Sequence, residues 1–254
     1  MIPLPASLTV KRSRAAERML GDAARAWIES EERAPGIHAS DLLDARQAIY
    51  RKIDPKTLPD RLVNIFLIGK VLHAFVLQTV DGITNVDIKT TDAGSYFSEK
   101  IGITYSPDKI VGGKVRELKT SRSYKAPDTI EDISHYLEQI LVYLASTETR
   151  TAQLWVLYLN LRDESTGKLD PCFRGYDVEI SEGDLAGLIE FCKSQKELIE
   201  KGVNLKDPKV APLCREWLCN RKLCDWYDQC QPEGRWHEAD QNKKTKALKK
   251  PKPA

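Results

Sequence analysis

The spacing of apolar residues predicts a chain built largely from helices, with short strands among them. Five segments have apolar side chains at helical intervals: residues 14 to 33, 38 to 52, 62 to 80, 129 to 147 and 181 to 201. Ser40 and Asp41 are suitable capping residues near the start of the second segment. The third segment places its large apolar residues largely on one side and also carries His73.

Five other segments are predicted to form strands: residues 100 to 105, 109 to 111, 114 to 120, 152 to 161 and 172 to 180. Gly112 and Gly113 separate the second segment from the third, and a pair of glycines is typical of a tight hairpin turn. The fourth segment is rich in aromatic residues and valine, as expected of a buried strand. The order of these elements predicts a mixed α/β fold around a small sheet.

Length and charge indicate how the chain is organised. Its 254 residues suffice for one sizeable domain and a small appendage. We expect an N-terminal helical segment at 1–60, a core at 61–205, a cysteine-rich segment at 206–236 and a disordered basic tail at 237–254. The chain has 39 Lys and Arg against 37 Asp and Glu, so its net charge does not by itself indicate a polyanionic partner. No stretch resembles a signal peptide or a membrane span, so a cytoplasmic protein with no membrane partner is expected.

Four of the six cysteines fall within one short span, at Cys214, Cys219, Cys224 and Cys230. A disulfide scaffold would require an export signal, and the absence of one favours reduced thiols that bind a metal. Four thiolates suit an iron-sulfur cluster or zinc, although structural zinc sites usually have shorter gaps within each cysteine pair. Cys172 and Cys192 are interpreted as small buried apolar residues.

The residues with the clearest chemical potential are Asp108, Glu117 and Lys119. Glu117 and Lys119 are two apart on a predicted strand and therefore share a face. Asp108 begins the preceding strand of the hairpin and can reach the same point. Two converging carboxylates make an oxygen site for Mg²⁺ or Mn²⁺, and the lysine adds a positive charge beside it. This combination suits hydrolysis of a phosphodiester, in which water must be activated and negative charge stabilised.

An acidic residue, a spacer and a lysine occur a second time, at Asp87, Ile88 and Lys89. This stretch is rich in Gly, Thr and Asp, and no Pro-Asp hairpin precedes it. We therefore interpret it as a solvated strand or loop.

Four motifs in order along the chain resemble those of the RecB-like nucleases in the PD-(D/E)xK superfamily. Asp108 and the run from Glu117 to Thr120 resemble the two parts of the core motif. Gly69 and His73 match the family's Gly-x-x-x-His helix, and Gln139 and Tyr143 match its Gln-x-x-x-Tyr helix. Helix residues four apart share one face, so Gln139 and Tyr143 can point toward one site.

This resemblance implies a restriction-endonuclease-like mixed β-sheet flanked by helices, and it implies roles for the matched residues. Lys119 would orient or help deprotonate the attacking water, while Gln139 and Tyr143 would support the substrate and the lysine. The implied ligands of one or two Mg²⁺ or Mn²⁺ ions are His73, Asp108, Glu117 and the carbonyl of Leu118.

The nearest branches by resemblance are the CRISPR-associated RecB-like exonucleases and the nuclease domain of AddB-type helicase-nucleases. Both hold an iron-sulfur cluster with one early cysteine and three late ones. Ala45 stands where the early cysteine is expected, so the four late cysteines would have to bind the cluster alone. The resemblance favours a 4Fe-4S cluster over Zn²⁺ in a C-terminal cysteine-rich metal-binding segment.

The activity implied by this resemblance is exonucleolytic cleavage of single-stranded DNA, in CRISPR spacer acquisition or recombination repair. Its partners would be single-stranded DNA and CRISPR integration or recombination proteins. The alternative is a non-catalytic nucleic-acid-binding module with a structural metal cluster. The intact set of Asp108, Glu117 and Lys119 favours catalysis.

Two other segments are candidates for contact with DNA. Arg122, Tyr124 and Lys125 directly follow the predicted catalytic strand. The aromatic and basic residues around Trp226 and Tyr227 could either stack on bases or pack around the cysteines.

Overall fold

The computed structural model describes residues 14–29, 35–80, 95–125, 133–163, 165–214, 219 and 224–230. The predicted basic tail at 237–254 and the second acidic motif at 87–89 lie outside these residues. All six cysteines and all the residues predicted to form the active site are described.

The described part of the chain contains six α-helices, of which the first five follow the predicted order and α6 was not predicted. They are α1 (Arg14–Glu29), α2 (Ala45–Ile53), α3 (Asp60–Val80), α4 (Ser134–Thr147), α5 (Glu182–Leu205) and the short α6 (Tyr227–Cys230). The hydroxyl of Ser181 caps α5 by accepting a hydrogen bond from the N–H of Asp184. This helix runs four residues beyond the predicted end, to a left-handed Lys206 with φ 51°.

The strands within the described ranges form two sheets. They are β1 (Tyr96–Ser98), β2 (Ile103–Tyr105), β3 (Lys109–Val111), β4 (Lys114–Ser121), β5 (Thr151–Tyr158) and β6 (Cys172–Glu179). Strands β1 and β2 pair with each other, and the larger sheet has the order β3-β4-β5-β6. Strand β4 is antiparallel to β3 and parallel to β5, while β5 is antiparallel to β6. The predicted mixed sheet flanked by helices is therefore present.

The β3–β4 hairpin has the two-residue glycine turn expected from the sequence. Gly112 and Gly113 have φ values of 58° and 76°, and a type I′ turn requires a positive φ at both of its central positions. Val111 and Lys114 pair on either side of the turn, which fixes the register of the hairpin.

The core lies between one face of the larger sheet and the helices. Alternate residues of β5 are buried, and the residues paired with them on β4 face the same side. Helices α2, α4 and α5 contribute apolar side chains to the same cluster, including Ile49, Ile140 and Ile199. No helix in the described ranges combines the length and apolar character needed to cross a bilayer.

Two predicted elements differ from those in the structure. The predicted strand at 100–105 is present only in its second half, as β2, because residues 99 to 102 form the turn between β1 and β2. Gly102 donates its N–H to the carbonyl of Ser98 (2.7 Å) and has a φ of 76° there. The predicted helix at 38–52 is divided into a 3-10 helix at Ala39–Asp44 and α2. The N–H of His38 donates to the carboxylate of Asp41 (3.0 Å), which caps this first turn.

Candidate active site

The β3–β4 hairpin places Asp108, just before β3, directly across from Glu117 on β4. Lys109 pairs with Arg116, so one further step places Asp108 across from Glu117. The N–H of Asp108 donates to Oε2 of Glu117 (3.1 Å), and the N–H of Leu118 donates to Oδ2 of Asp108 (2.6 Å). Backbone donors thus fix both carboxylates near each other.

Glu117 and Lys119 point to the buried face of β4. Glu117 pairs with Leu154 and Lys119 with Val156, and both residues of β5 are fully buried. Glu117 is itself only 3% exposed. Its Oε1 accepts a hydrogen bond from Nζ of Lys119 at 2.5 Å, a charge-assisted contact. A buried carboxylate therefore has an ammonium group as its direct partner.

The charges of this cluster shift one another's pKa values. Burial raises the pKa of Glu117, and the nearby carboxylate of Asp108 raises it further against the opposing effect of Lys119. Burial alone would lower the pKa of Lys119, but attraction to Glu117 and Asp108 outweighs that effect and raises it. Lys119 is consequently held as a cation.

Helix α3 brings His73 to the same site. Nδ1 of His73 lies 3.2 Å from Oδ1 of Asp108, although the two residues are 35 positions apart in the sequence. Asp108 therefore contacts His73 through one oxygen and the N–H of Leu118 through the other. The side chains of His73 and Asp108 are both largely buried.

Helix α4 contributes Gln139 and Tyr143, and Tyr143 contacts the segment that precedes Asp108. Nε2 of Gln139 donates to the hydroxyl of Tyr143 (2.7 Å), and this hydroxyl donates to the carbonyl of Ser106 (3.0 Å). Burial, together with the negative charge of Glu117, raises the pKa of Tyr143 and keeps the hydroxyl protonated. The two residues were expected to support the substrate and the lysine. In the structure Tyr143 bonds the carbonyl of Ser106, two residues before Asp108, and Gln139 bonds Tyr143.

The predicted metal ligands are close together but do not form a complete coordination group. Within the described residues, no set of three or more His, Cys, Asp or Glu side chains has the arrangement of a metal site. The donor types of His73, Asp108 and Glu117 nevertheless suit Mg²⁺ or Mn²⁺, which prefer carboxylate oxygens. Glu117 is engaged with Lys119, so coordination by all three side chains would require this ion pair to rearrange.

Comparisons with known proteins show a shared fold. No model of a known protein family matches the chain, and no curated protein matches it significantly. The crystal structure of the protein SSO0001 superposes with a TM-score of 0.52, over 84% of this chain and 95% of that chain, at 18% sequence identity. The chain shares its fold with SSO0001. At this identity the similarity concerns the fold alone.

Two solved exonucleases show weaker similarity. The alkaline exonuclease LHK-Exo from Laribacter hongkongensis has a TM-score of 0.34 and 16% identity, over 69% of this chain and 93% of that chain. A phage-related exonuclease from Haemophilus somnus 129PT has a TM-score of 0.35 and 11% identity, over 76% of this chain and 84% of that chain. Scores this low support no conclusion about this chain, and its chemistry has to be inferred from its own residues.

The four late cysteines gather beside the start of α2, the helix that carries Ala45. All four thiols are free. Burial is the main cause that raises the pKa of Cys214 to about 12, with smaller contributions from Asp44, Cys224 and Cys230. Burial also raises the pKa of Cys219, with added contributions from Cys230 and Cys224. The thiols are thus near one another, but no three of them form a metal-binding group in the described part of the chain. The predicted metal-binding character of this segment is not supported by the arrangement.

Several residues that organise this region have no recognisable sequence signal. Arg46 donates to the carbonyl of Ala211 (2.8 Å), and its guanidinium also contacts the sulfur of Cys230 (3.7 Å). Trp226 is buried, stacks on Tyr50 and donates its indole N–H to the carbonyl of Asp54 (3.0 Å). Of the two interpretations of this tryptophan, packing next to the cysteines therefore agrees with the structure.

Proposed function

We propose that this chain is a metal-dependent DNA nuclease with a RecB-like PD-(D/E)xK core. The observation that carries the proposal is the convergence of Asp108, Glu117 and Lys119 at one end of the β3–β4 hairpin. His73 reaches the same point from a separate helix. Two carboxylates, an imidazole and an ammonium group at one position match the requirements of phosphodiester hydrolysis.

Each residue has a proposed task in this reaction. Asp108, Glu117, His73 and the carbonyl of Leu118 would hold one or two Mg²⁺ or Mn²⁺ ions, which supply Lewis acidity for activating water and neutralising phosphate charge. Lys119, kept positive by its neighbours, would stabilise the negative charge that develops on the phosphate. Tyr143, which accepts a hydrogen bond from Gln139, would keep Asp108 in place through its own bond to Ser106.

The test is digestion of end-labelled single-stranded DNA in the presence of Mn²⁺. We expect Lys119→Ala to reduce the rate by roughly a hundredfold or more, as is typical when a charge-stabilising group is lost from an active site. Lys114→Ala is the matched control, since Lys114 lies on the same strand but pairs with the exposed Asp177 at the far end. Equal digestion by wild type and Lys119→Ala would contradict the catalytic assignment.

The substrate and pathway form a finer part of the proposal. We infer an exonuclease that trims single-stranded DNA for CRISPR spacer acquisition or recombination repair, acting with the integration or recombination proteins of those pathways. The support is the resemblance of the four motifs. Digestion of linear strands but not of closed single-stranded circles is the expected result, because an exonuclease requires an end. Equal digestion of both would indicate an endonuclease.

We also propose that Cys214, Cys219, Cys224 and Cys230 bind a 4Fe-4S cluster, with Zn²⁺ as the alternative. The support is the resemblance of the late cysteine pattern, together with the contact between the sulfur of Cys230 and Arg46 of α2. Binding by all four would require the thiolates to approach one another from their present positions. Such a cluster would tie the C-terminal segment to α2.

A non-catalytic nucleic-acid-binding module is the second candidate, and one observation favours it. Both carboxylates of the site already accept hydrogen bonds from protein donors, Lys119 on Glu117 and the N–H of Leu118 on Asp108. Carboxylates bonded in this way could stabilise the fold without taking part in catalysis. DNA binding without digestion in the presence of Mg²⁺ or Mn²⁺ would favour this function.

A further inference from the structure

The segment that follows β4 presents an exposed aromatic ring on a fixed backbone. Ser121 and Tyr124 accept hydrogen bonds through their carbonyls from the N–H groups of Leu159 (2.9 Å) and Arg162 (3.2 Å). These bonds extend the contact between β4 and β5 beyond the ends of both strands. The hydroxyl of Ser123 donates to the carbonyl of Lys125 (2.6 Å) and closes the local turn. Tyr124 is nonetheless 64% exposed.

Arg162 covers part of this ring. Its guanidinium carbon lies 5.8 Å from the ring centroid of Tyr124, within the range of a cation–π contact. Nη1 of Arg162 also donates to the carbonyl of Gly167 (2.8 Å), and this hydrogen bond helps to fix the position of the guanidinium. The guanidinium lies over one face of the ring and places a positive charge beside it, which leaves the exposed part of the ring to other contacts.

A tight turn supports Arg162 in this position. Oδ1 of Asp163 accepts hydrogen bonds from the backbone and hydroxyl groups of both Ser165 and Thr166, at 2.6 to 3.1 Å. These bonds lower the pKa of Asp163 to about 2. Hydrogen bonds from Ser165 and Thr166 to the carboxylate of Asp163 therefore stabilise this turn.

Charge and shape indicate what this surface fits. Arg122 and Lys125 flank Tyr124 in the sequence, and both are exposed like Arg162. An aromatic face with a guanidinium beside it is suited to stacking on a nucleobase, and nearby cations are suited to phosphates. In a duplex the bases are already stacked on one another, so a ring at the protein surface reaches them only in a single strand.

The surface is also within reach of the candidate active site. Tyr124 follows Lys119 by five residues, which at about 3.3 Å per residue corresponds to about 17 Å of extended chain. About five stacked nucleotides at a rise of roughly 3.4 Å each cover the same distance, and a more extended single strand covers it with fewer. One strand of DNA can thus contact both places.

We propose that Tyr124, backed by Arg162, is a stacking platform for an unpaired base of single-stranded DNA whose phosphate a few nucleotides away lies at Asp108, Glu117 and Lys119. The proposal rests on the nuclease function, since it assigns a position to the same substrate. Tyr124 binds the base, and Arg162 positions the ring and adds charge.

The test is equilibrium binding of the full chain to labelled oligonucleotides of about 15 nucleotides, measured by fluorescence anisotropy with Ca²⁺ in place of Mn²⁺, so that the carboxylates can be neutralised while cleavage is avoided. One oligonucleotide is oligo(dT), and the other has the same number of phosphates but abasic sugars. Tyr124→Ala should weaken binding to oligo(dT) by roughly five- to a hundredfold, the range reported by alanine substitutions of stacking residues. Its affinity for the abasic strand should be that of wild type. Tyr124→Phe, which retains the ring, should remain within roughly twofold of wild type on both.

Phe191→Ala is the matched control, because Phe191 is an aromatic residue of α5 with 53% exposure. Three results would overturn the platform: no loss with Tyr124→Ala, an equal loss on the abasic strand, or no binding of oligo(dT) by wild type. Digestion with Mn²⁺ is scored separately. Digestion that does not depend on Tyr124 would remove the platform and leave the nuclease, whereas Tyr124-dependent binding without digestion would do the reverse.

Discussion

The hydroxyl of Tyr143 offers a direct test of how helix α4 holds the candidate active site. It accepts a hydrogen bond from Gln139 and donates one to the carbonyl of Ser106, and the side chain is buried. Tyr143→Phe removes this one oxygen and leaves the ring in place. Each hydrogen bond contributes about 0.5–1.5 kcal/mol net, so the loss of both predicts a decrease of about 1–3 kcal/mol in the free energy of unfolding.

The same substitution should affect catalysis more than DNA binding. Ser106 lies two residues before Asp108, so the loss of its anchor allows the aspartate to move relative to Glu117. A displacement of about 1 Å at a reacting group costs up to roughly a hundredfold in rate, so we expect kcat to fall by roughly 10- to 100-fold. The affinity for oligonucleotides with Ca²⁺ in place of Mn²⁺ should not change, because the hydroxyl is buried among protein groups.

The assays are urea denaturation followed by tryptophan fluorescence, and steady-state digestion at saturating Mn²⁺. Tyr96→Phe is the control, since Tyr96 is exposed and its stacking on Tyr105 is retained by phenylalanine. Its free energy of unfolding should stay within about 0.5 kcal/mol of wild type. If Tyr143→Phe unfolds like wild type and retains full kcat, the anchoring argument is wrong.

Two further predictions concern helix packing and the cysteines. A Cβ added at Gly202 would overlap Cδ1 of Ile49 and lie 2.9 Å from Cγ2 of Val210, so Gly202→Ala should destabilise the fold by about 1–3 kcal/mol. Gly187→Ala in the same helix meets nothing within 4 Å and should stabilise it by up to about 1 kcal/mol, so urea denaturation showing equal effects would refute the packing argument. For the cysteines, a purified protein that absorbs near about 400 nm and loses this band in Cys230→Ser but not in Cys172→Ser would support the iron-sulfur cluster. A colourless protein containing stoichiometric zinc would support the alternative, and a protein with neither metal would refute the metal-binding proposal.

The hairpin of the candidate site was predictable because its determinants are local. The Gly112-Gly113 pair sets a two-residue turn, and the alternation of side chains along β4 then places Glu117 and Lys119 on one face. Asp108 follows from the register of the same hairpin. No contact across the rest of the chain is needed to bring these three residues together.

Contacts between distant segments could not be predicted in the same way. Arg46 meets Ala211 and Cys230 across more than 160 residues, and Tyr143 meets Ser106 across 37. Such bonds depend on how the helices pack, which spacing within one segment does not encode. The β1–β2 turn was missed for a smaller reason. Its one glycine, Gly102, follows Ile101 in an apolar stretch that also fits a continuous strand.

The electrostatics of the site connect the metal to the proposed function. When ionised, Asp108 and Glu117 carry two negative charges against the single positive charge of Lys119, and Glu117 is almost fully buried. A phosphate brought to this point would meet a net negative charge in a region of low dielectric, where repulsion is strong. Lys119 cannot offset this alone, because its ammonium group is already bonded to Glu117. Asp108 and Glu117 would need a bound divalent cation to reverse the sign of the site and leave Lys119 available to the phosphate. The proposed catalysis would therefore depend on the cation, and DNA digestion that persists in EDTA would have to occur elsewhere in the protein.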